Sequence, residues 1–163
     1  MKNFLTNINN NGFEVIVALL VANQIAQIFK TIRVALSKRK FNLKLLFATG
    51  GMPSSHSSTV TAMATSVGLV EGFDSTIFAV AVCFSTVVMV DAAGLRRSAS
   101  KQAKILNKMM VEIFTKDKEF QPKLLKEFLG HTPIEVFVGA LLGIAVSVGL
   151  HYWLGEVVDQ ANF

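Results

Sequence analysis

Several familiar classes of protein are excluded by what this sequence has little of. There is one cysteine, Cys83, and it sits inside an apolar run, so a disulfide framework and a cysteine-rich zinc site are ruled out. Charged residues make up only 17% of the chain against 52% hydrophobic ones, and the mean hydropathy is +0.49. That composition excludes intrinsic disorder and argues against a soluble globular domain. No internal repeat or low-complexity tract occurs. The N-terminus does not read as a cleavable signal: it is Asn-rich with one base, Lys2, and no small-residue cleavage site follows the first apolar run. Aromatic residues are not interleaved with basic ones, so the net charge of +5 does not point to nucleic acid.

The 163 residues suit one domain, residues 1–163, embedded in a membrane. Their apolar residues gather in four stretches: Phe13–Phe29, Ser57–Val70, Ser75–Val90 and Pro133–Leu154. The second has 14 residues, roughly 21 Å as a helix, which is short for a span and predicts a helix starting inside the membrane after a re-entrant loop. The fourth carries Gly139-x-x-x-Gly143, a spacing that lets helix backbones approach closely and offers a face for a homodimer. Segment 96–126 reads as an amphipathic helix at the cytoplasmic surface, with Ile105, Met109 and Ile113 on one face, Lys101, Lys104 and Lys108 on another, and a break at Gln121-Pro122. The expected fold is therefore all-α: a polytopic bundle of about four membrane helices, a re-entrant loop and this amphipathic helix.

The bases set the expected orientation. Six of the 16 Lys and Arg lie between Lys30 and Lys44 and nine between Arg96 and Lys126. The turn Glu71-Gly72-Phe73-Asp74 and the tail after Leu154 have acids only. Both basic segments are thus expected in the cytoplasm and both termini outside, with the protein in the cell membrane.

Ionisable groups at membrane-helix ends are costly and need a reason. Here His56, Asp91, Arg96, Arg97, His131, Glu135, Lys30 and Arg33 are all expected at the cytoplasmic level. Gly50-Gly51-Met52-Pro53-Ser54-Ser55-His56 has the makings of a phosphate cradle: glycines for close approach, hydroxyls, a helix N-terminus and a proton donor. It is equally a plain turn with a serine cap. In Gly130-His131-Thr132-Pro133-Ile134-Glu135, Thr132 and Pro133 suit a helix start, and Glu135 lies one turn from His131, where it can fix the tautomer of a nucleophilic imidazole. Arg96 and Arg97 suit phosphate oxygens or lipid-facing anchorage, and Asp91 can orient one of them. His151, beside Tyr152 and Trp153, reads as part of an interfacial belt.

These motifs resemble those of the type-2 phosphatidic acid phosphatase and vanadium haloperoxidase superfamily. Pro53-Ser54-Ser55-His56 is similar to its P-S-G-H motif, and His131-x-x-x-Glu135 to its H-x-x-x-D motif. Together with Asp91-Ala92-Ala93-Gly94-Leu95-Arg96-Arg97, the pattern is similar to the divergent, permuted branch of that superfamily. The resemblance implies His131 as nucleophile, Glu135 as its orienting carboxylate, and His56 as the acid that protonates the leaving alcohol. Ser54, Ser55, Gly51 and nearby cations would hold the phosphate, and no metal or other cofactor is implied. The sequence departs from the pattern in three places: Ser55 replaces Gly, the Arg before the nucleophile is absent, and no K-x6-R-P motif precedes Pro53. Arg96, Arg97, Lys101 and Lys30 are the candidates for the missing cations. The implied activity is hydrolysis of a lipid phosphomonoester or diphosphate. The alternatives are a non-catalytic binder of anionic headgroups and a zinc site built from the histidines and carboxylates, and haloperoxidase chemistry fits a membrane setting least.

Overall fold

A computed structural model of the chain describes residues 8–38, 51–114, 124–125 and 130–161. Five helices account for nearly all of them: α1 (Gly12–Lys38), α2 (Ser55–Glu71), α3 (Thr76–Ala93), α4 (Leu95–Phe114) and α5 (Pro133–Ala161). No strand occurs among the described residues. Among the described residues, three segments are long and apolar enough to cross a membrane: Gly12–Leu36, Thr76–Ile113 and Pro133–Gln160. The protein is a membrane helical bundle.

The bundle is inverted relative to a soluble one. Its large apolar side chains face outward, among them Phe13, Leu20, Ile28, Phe84, Val87 and Phe137. Most of its buried positions are small or polar, with Leu154, Val60 and Val67 among the exceptions, as expected where lipid supplies the apolar surroundings and close packing supplies the cohesion. On α1 the buried stripe is Glu14, Ala18, Ala22, Ala26 and Lys30. These residues are four apart, so they line one face.

α2 is the central element and packs against α1, α3 and α5. Ser54 caps it, accepting from the Ser57 amide at 3.3 Å, and Gly72 ends it at φ 92°. Hydroxyls then tie it to its neighbours. Ser58 Oγ donates to the Ala22 carbonyl (3.1 Å), Ser85 Oγ on α3 donates to the Val60 carbonyl (2.8 Å), and Thr61 Oγ1 donates to the Ala140 carbonyl on α5 (3.1 Å). Interhelical bonds of this kind contribute about 0.6 kcal/mol each in a membrane, so they specify register more than they supply stability.

The expected elements sit as follows. Among the described residues three segments have the length and apolarity of spans, and the short second stretch, α2, has 17 residues and is enclosed by the other helices. The face of α5 expected to serve a homodimer is filled within the chain: Gly139 lies against Ser54 and Ser57, and Gly143 against Ser58, Thr61 and Ala62. The amphipathic helix starts at Leu95, directly after a break at Gly94, and ends at Phe114. Its expected extension to residue 126 and the break at Gln121-Pro122 lie outside the described residues, as does most of the expected re-entrant loop.

Candidate active site

Three chain segments meet at one end of the bundle, and their backbones hold them together. The Ser54 amide donates to the Glu135 carbonyl (3.0 Å), joining the start of α2 to the first turn of α5. The His131 amide donates to the Ala92 carbonyl (3.2 Å), joining the residues before α5 to the end of α3. Gly51 precedes the α2 cap at φ 87°, a conformation that favours glycine.

α5 opens with a capping box. Thr132 Oγ1 accepts from the Glu135 amide (3.3 Å), and Glu135 Oε2 accepts from the Thr132 amide (3.0 Å), with Pro133 in the first helical position. The same Oε2 lies 3.3 Å from Nδ1 of His131. Capping geometry therefore fixes the carboxylate, and the carboxylate orients the imidazole. His131 is only 3% exposed, so this orientation is enforced by packing as well.

His56, in the first turn of α2, places its ring centroid 5.9 Å from that of His131, edge to face at 64°. The two imidazoles come from positions 75 residues apart in the sequence and lie side by side. Lys30 reaches the same place from α1. Its Nζ donates to Ser55 Oγ at 2.9 Å, and its charge attracts that of Glu135. Lys30 is 5% exposed, so its ammonium is held between helices rather than in solvent.

The remaining expected residues divide. Ser54 and Ser55 are buried at the α2 N-terminus beside Lys30 and Glu135. Asp91 is half-buried in the last turn of α3, next to the Ala92 carbonyl that holds His131. Lys101 is exposed on α4. The side chains of Arg96 and Arg97 lie outside the described part of the structure. Lys30 is thus the expected cation with a described contact at the site.

Beside these groups, a cavity of about 460 Å³ opens between α1 and α5, lined by Phe29, Arg33, Met52, Pro53, Val138 and Leu142. Its wall is apolar except for Arg33, and Pro53 adjoins the buried Ser54. Among the described residues, no group of three or more His, Cys, Asp or Glu is arranged to hold a metal ion.

Sequence reasoning missed one polar pair. His151 is no simple belt residue: its Nδ1 lies 2.7 Å from Oε1 of Glu14, which is wholly buried. The available signal was the four-residue spacing that places Glu14 on the small-residue stripe ending at Lys30.

The architecture and the site define an all-helical membrane protein with two histidines, a carboxylate and a lysine gathered at a helix N-terminus. The chain belongs to the divergent PAP2 family, whose model matches residues 11–146. It is 44% identical over 145 residues to the uncharacterized membrane protein YuiD of Bacillus subtilis (strain 168), a match covering 82% of this chain and 91% of that one. No solved structure matches it.

Proposed function

We propose that this protein is a membrane lipid phosphatase, with its site at the cytoplasmic surface, that works through a phospho-histidine intermediate. The observation that carries the reading is the convergence of His131, already paired with a carboxylate, with His56 and Lys30 around the capped start of α2. Nδ1 of His131 is engaged by Glu135, so attack comes from Nε2. Its lone pair forms the N–P bond as the P–O bond to the lipid breaks, and His56 delivers a proton to the departing oxygen. His56 then takes a proton from water as that water attacks phosphorus, releasing inorganic phosphate and restoring His131.

The phosphoryl oxygens carry their charge toward the Lys30 ammonium and the amides of the α2 N-terminus, which stabilise the anion where it develops. The adjoining cavity supports a lipid substrate: it is apolar, it is open between helices, and its arginine can meet a headgroup. Substrates of this form are phosphatidic acid, phosphatidylglycerophosphate and prenyl diphosphates.

The purified protein in detergent is expected to release phosphate from at least one of these lipids. Lys30→Met is expected to lower kcat/KM by about 10²- to 10³-fold, the usual cost of losing one donor to a developing oxyanion. Absence of release from all three lipid classes would overturn the phosphatase reading. Retained binding to anionic vesicles would then favour a headgroup-binding protein.

A further inference from the structure

The Glu14–His151 pair sits at the other end of the bundle from His131, and the proposed chemistry does not use it. Oε1 of Glu14 is 2.7 Å from His151 Nδ1, and Oε2 accepts from the Asn10 amide at 2.7 Å. The pair joins α1 directly to α5, whose first turn holds Glu135. A carboxylate enclosed near a membrane-helix end is costly enough to need a function.

Its position along the helices suggests one. On α1 the stripe runs Glu14, Ala18, Ala22, Ala26, Lys30, and on α5 it runs Glu135, Gly139, Gly143, Ser147, His151. Both stripes span 16 residues, about 24 Å of helix. Ionisable groups mark both ends of each, with only Ala, Gly or Ser between. Small side chains permit close approach but offer few knobs that resist sliding. A slip of one residue, about 1.5 Å along the axis, would break the 2.9 Å bond from Lys30 to Ser55. The mid-helix ties, Asn23 to Thr59 and Ser58 to Ala22, join α1 to α2 and are neutral, hence weaker than a bond to a carboxylate.

We propose that Glu14 and His151 are positioning residues. Their bond fixes the register of α1 against α5 and so holds the Lys30 ammonium at Ser55, about 24 Å away on the opposite side of the bilayer. The catalytic consequence rests on the phosphatase reading above; the register itself does not.

The test uses the full chain in nanodiscs, and its first readout is the reaction of Lys30 with an amine-selective reagent, followed by mass spectrometry. Lys30 is 5% exposed, so labelling of the wild-type protein is expected to be slow. Glu14→Ala is expected to accelerate it about tenfold or more, and the exchanged pair Glu14→His with His151→Glu is expected to restore protection. The second readout is phosphate release. Glu14→Ala is expected to lower kcat/KM about tenfold, and to have no further effect in a Lys30→Met background, because both changes remove the same contact. Should Glu14→Ala fail to fold, Glu14→Gln, which drops the charge but keeps a hydrogen bond, takes its place with the same direction of change. Unchanged Lys30 labelling in a folded variant would overturn the register claim even if no phosphatase activity exists. Faster labelling, with activity losses from Glu14→Ala and Lys30→Met that multiply, would overturn its link to the site.

Discussion

His131→Ala is expected to remove phosphate release almost completely, by about 10⁴-fold in kcat, as when the nucleophile of a covalent mechanism is deleted. The loss should be chemical rather than structural. His131 is tied into the fold through its backbone amide on Ala92, which alanine keeps, and Glu135 Oε2 retains the Thr132 amide as a donor. The thermal midpoint should fall by several degrees while the variant stays folded, since the lost Glu135 contact and the cavity left by the buried ring together cost about 2–4 kcal/mol. A complementary measurement traps the intermediate. Brief exposure of the wild-type protein to labelled substrate, quenched in base, should leave acid-labile phosphate on His131, and His131→Ala should leave none. Undiminished turnover in His131→Ala would show that another group attacks phosphorus.

The second large effect concerns the fold. Gly143→Ala is expected to destabilise the bundle by about 1–3 kcal/mol, and Gly143→Val by more. A Cβ at this position collides with Thr61 Oγ1 and the Ser58 carbonyl, and lies 2.9 Å from the Ala62 amide nitrogen. Two of those neighbours are backbone of the central helix and cannot swing aside. Gly149 and Gly155, on the same helix, have open space where a Cβ would go. Alanine there should be neutral or stabilising by up to about 1 kcal/mol, since it removes the entropic cost of a helical glycine. Unfolding in graded detergent mixtures would compare the three variants. Equal stability of the Gly143 and Gly149 alanine variants would contradict the close approach of α5 to α2.

The contrast between these glycines also shows what the amino-acid order makes legible. Gly139-x-x-x-Gly143 announces a close helix contact, but spacing alone does not say with which helix. Another chain and α2 were equally available, and the hydroxyl-rich face of α2 decided it. His56, His131 and Glu135 were legible because their chemistry is written locally, in short motifs at helix starts. Thr132 was legible as a cap for the same reason. The Glu14–His151 bond was not, because its partners are 137 residues apart and each has a local explanation: a first-turn acid and an aromatic-flanked interfacial histidine. Lys30 lies between these cases. Its place at the end of α1 made it a candidate, but its contact with Ser55 depends on how α1 packs against α2.

The composition of α2 has a consequence for biosynthesis. Seven of its 17 residues carry hydroxyl groups, and it also holds His56 and Glu71. Such a segment has little tendency to leave the translocon for lipid on its own. Its hydroxyl donors find acceptors on α1, and on α5 only after α5 has been made. The α2 segment thus gains its full set of interhelical bonds only once the residues from Pro133 onward have been made.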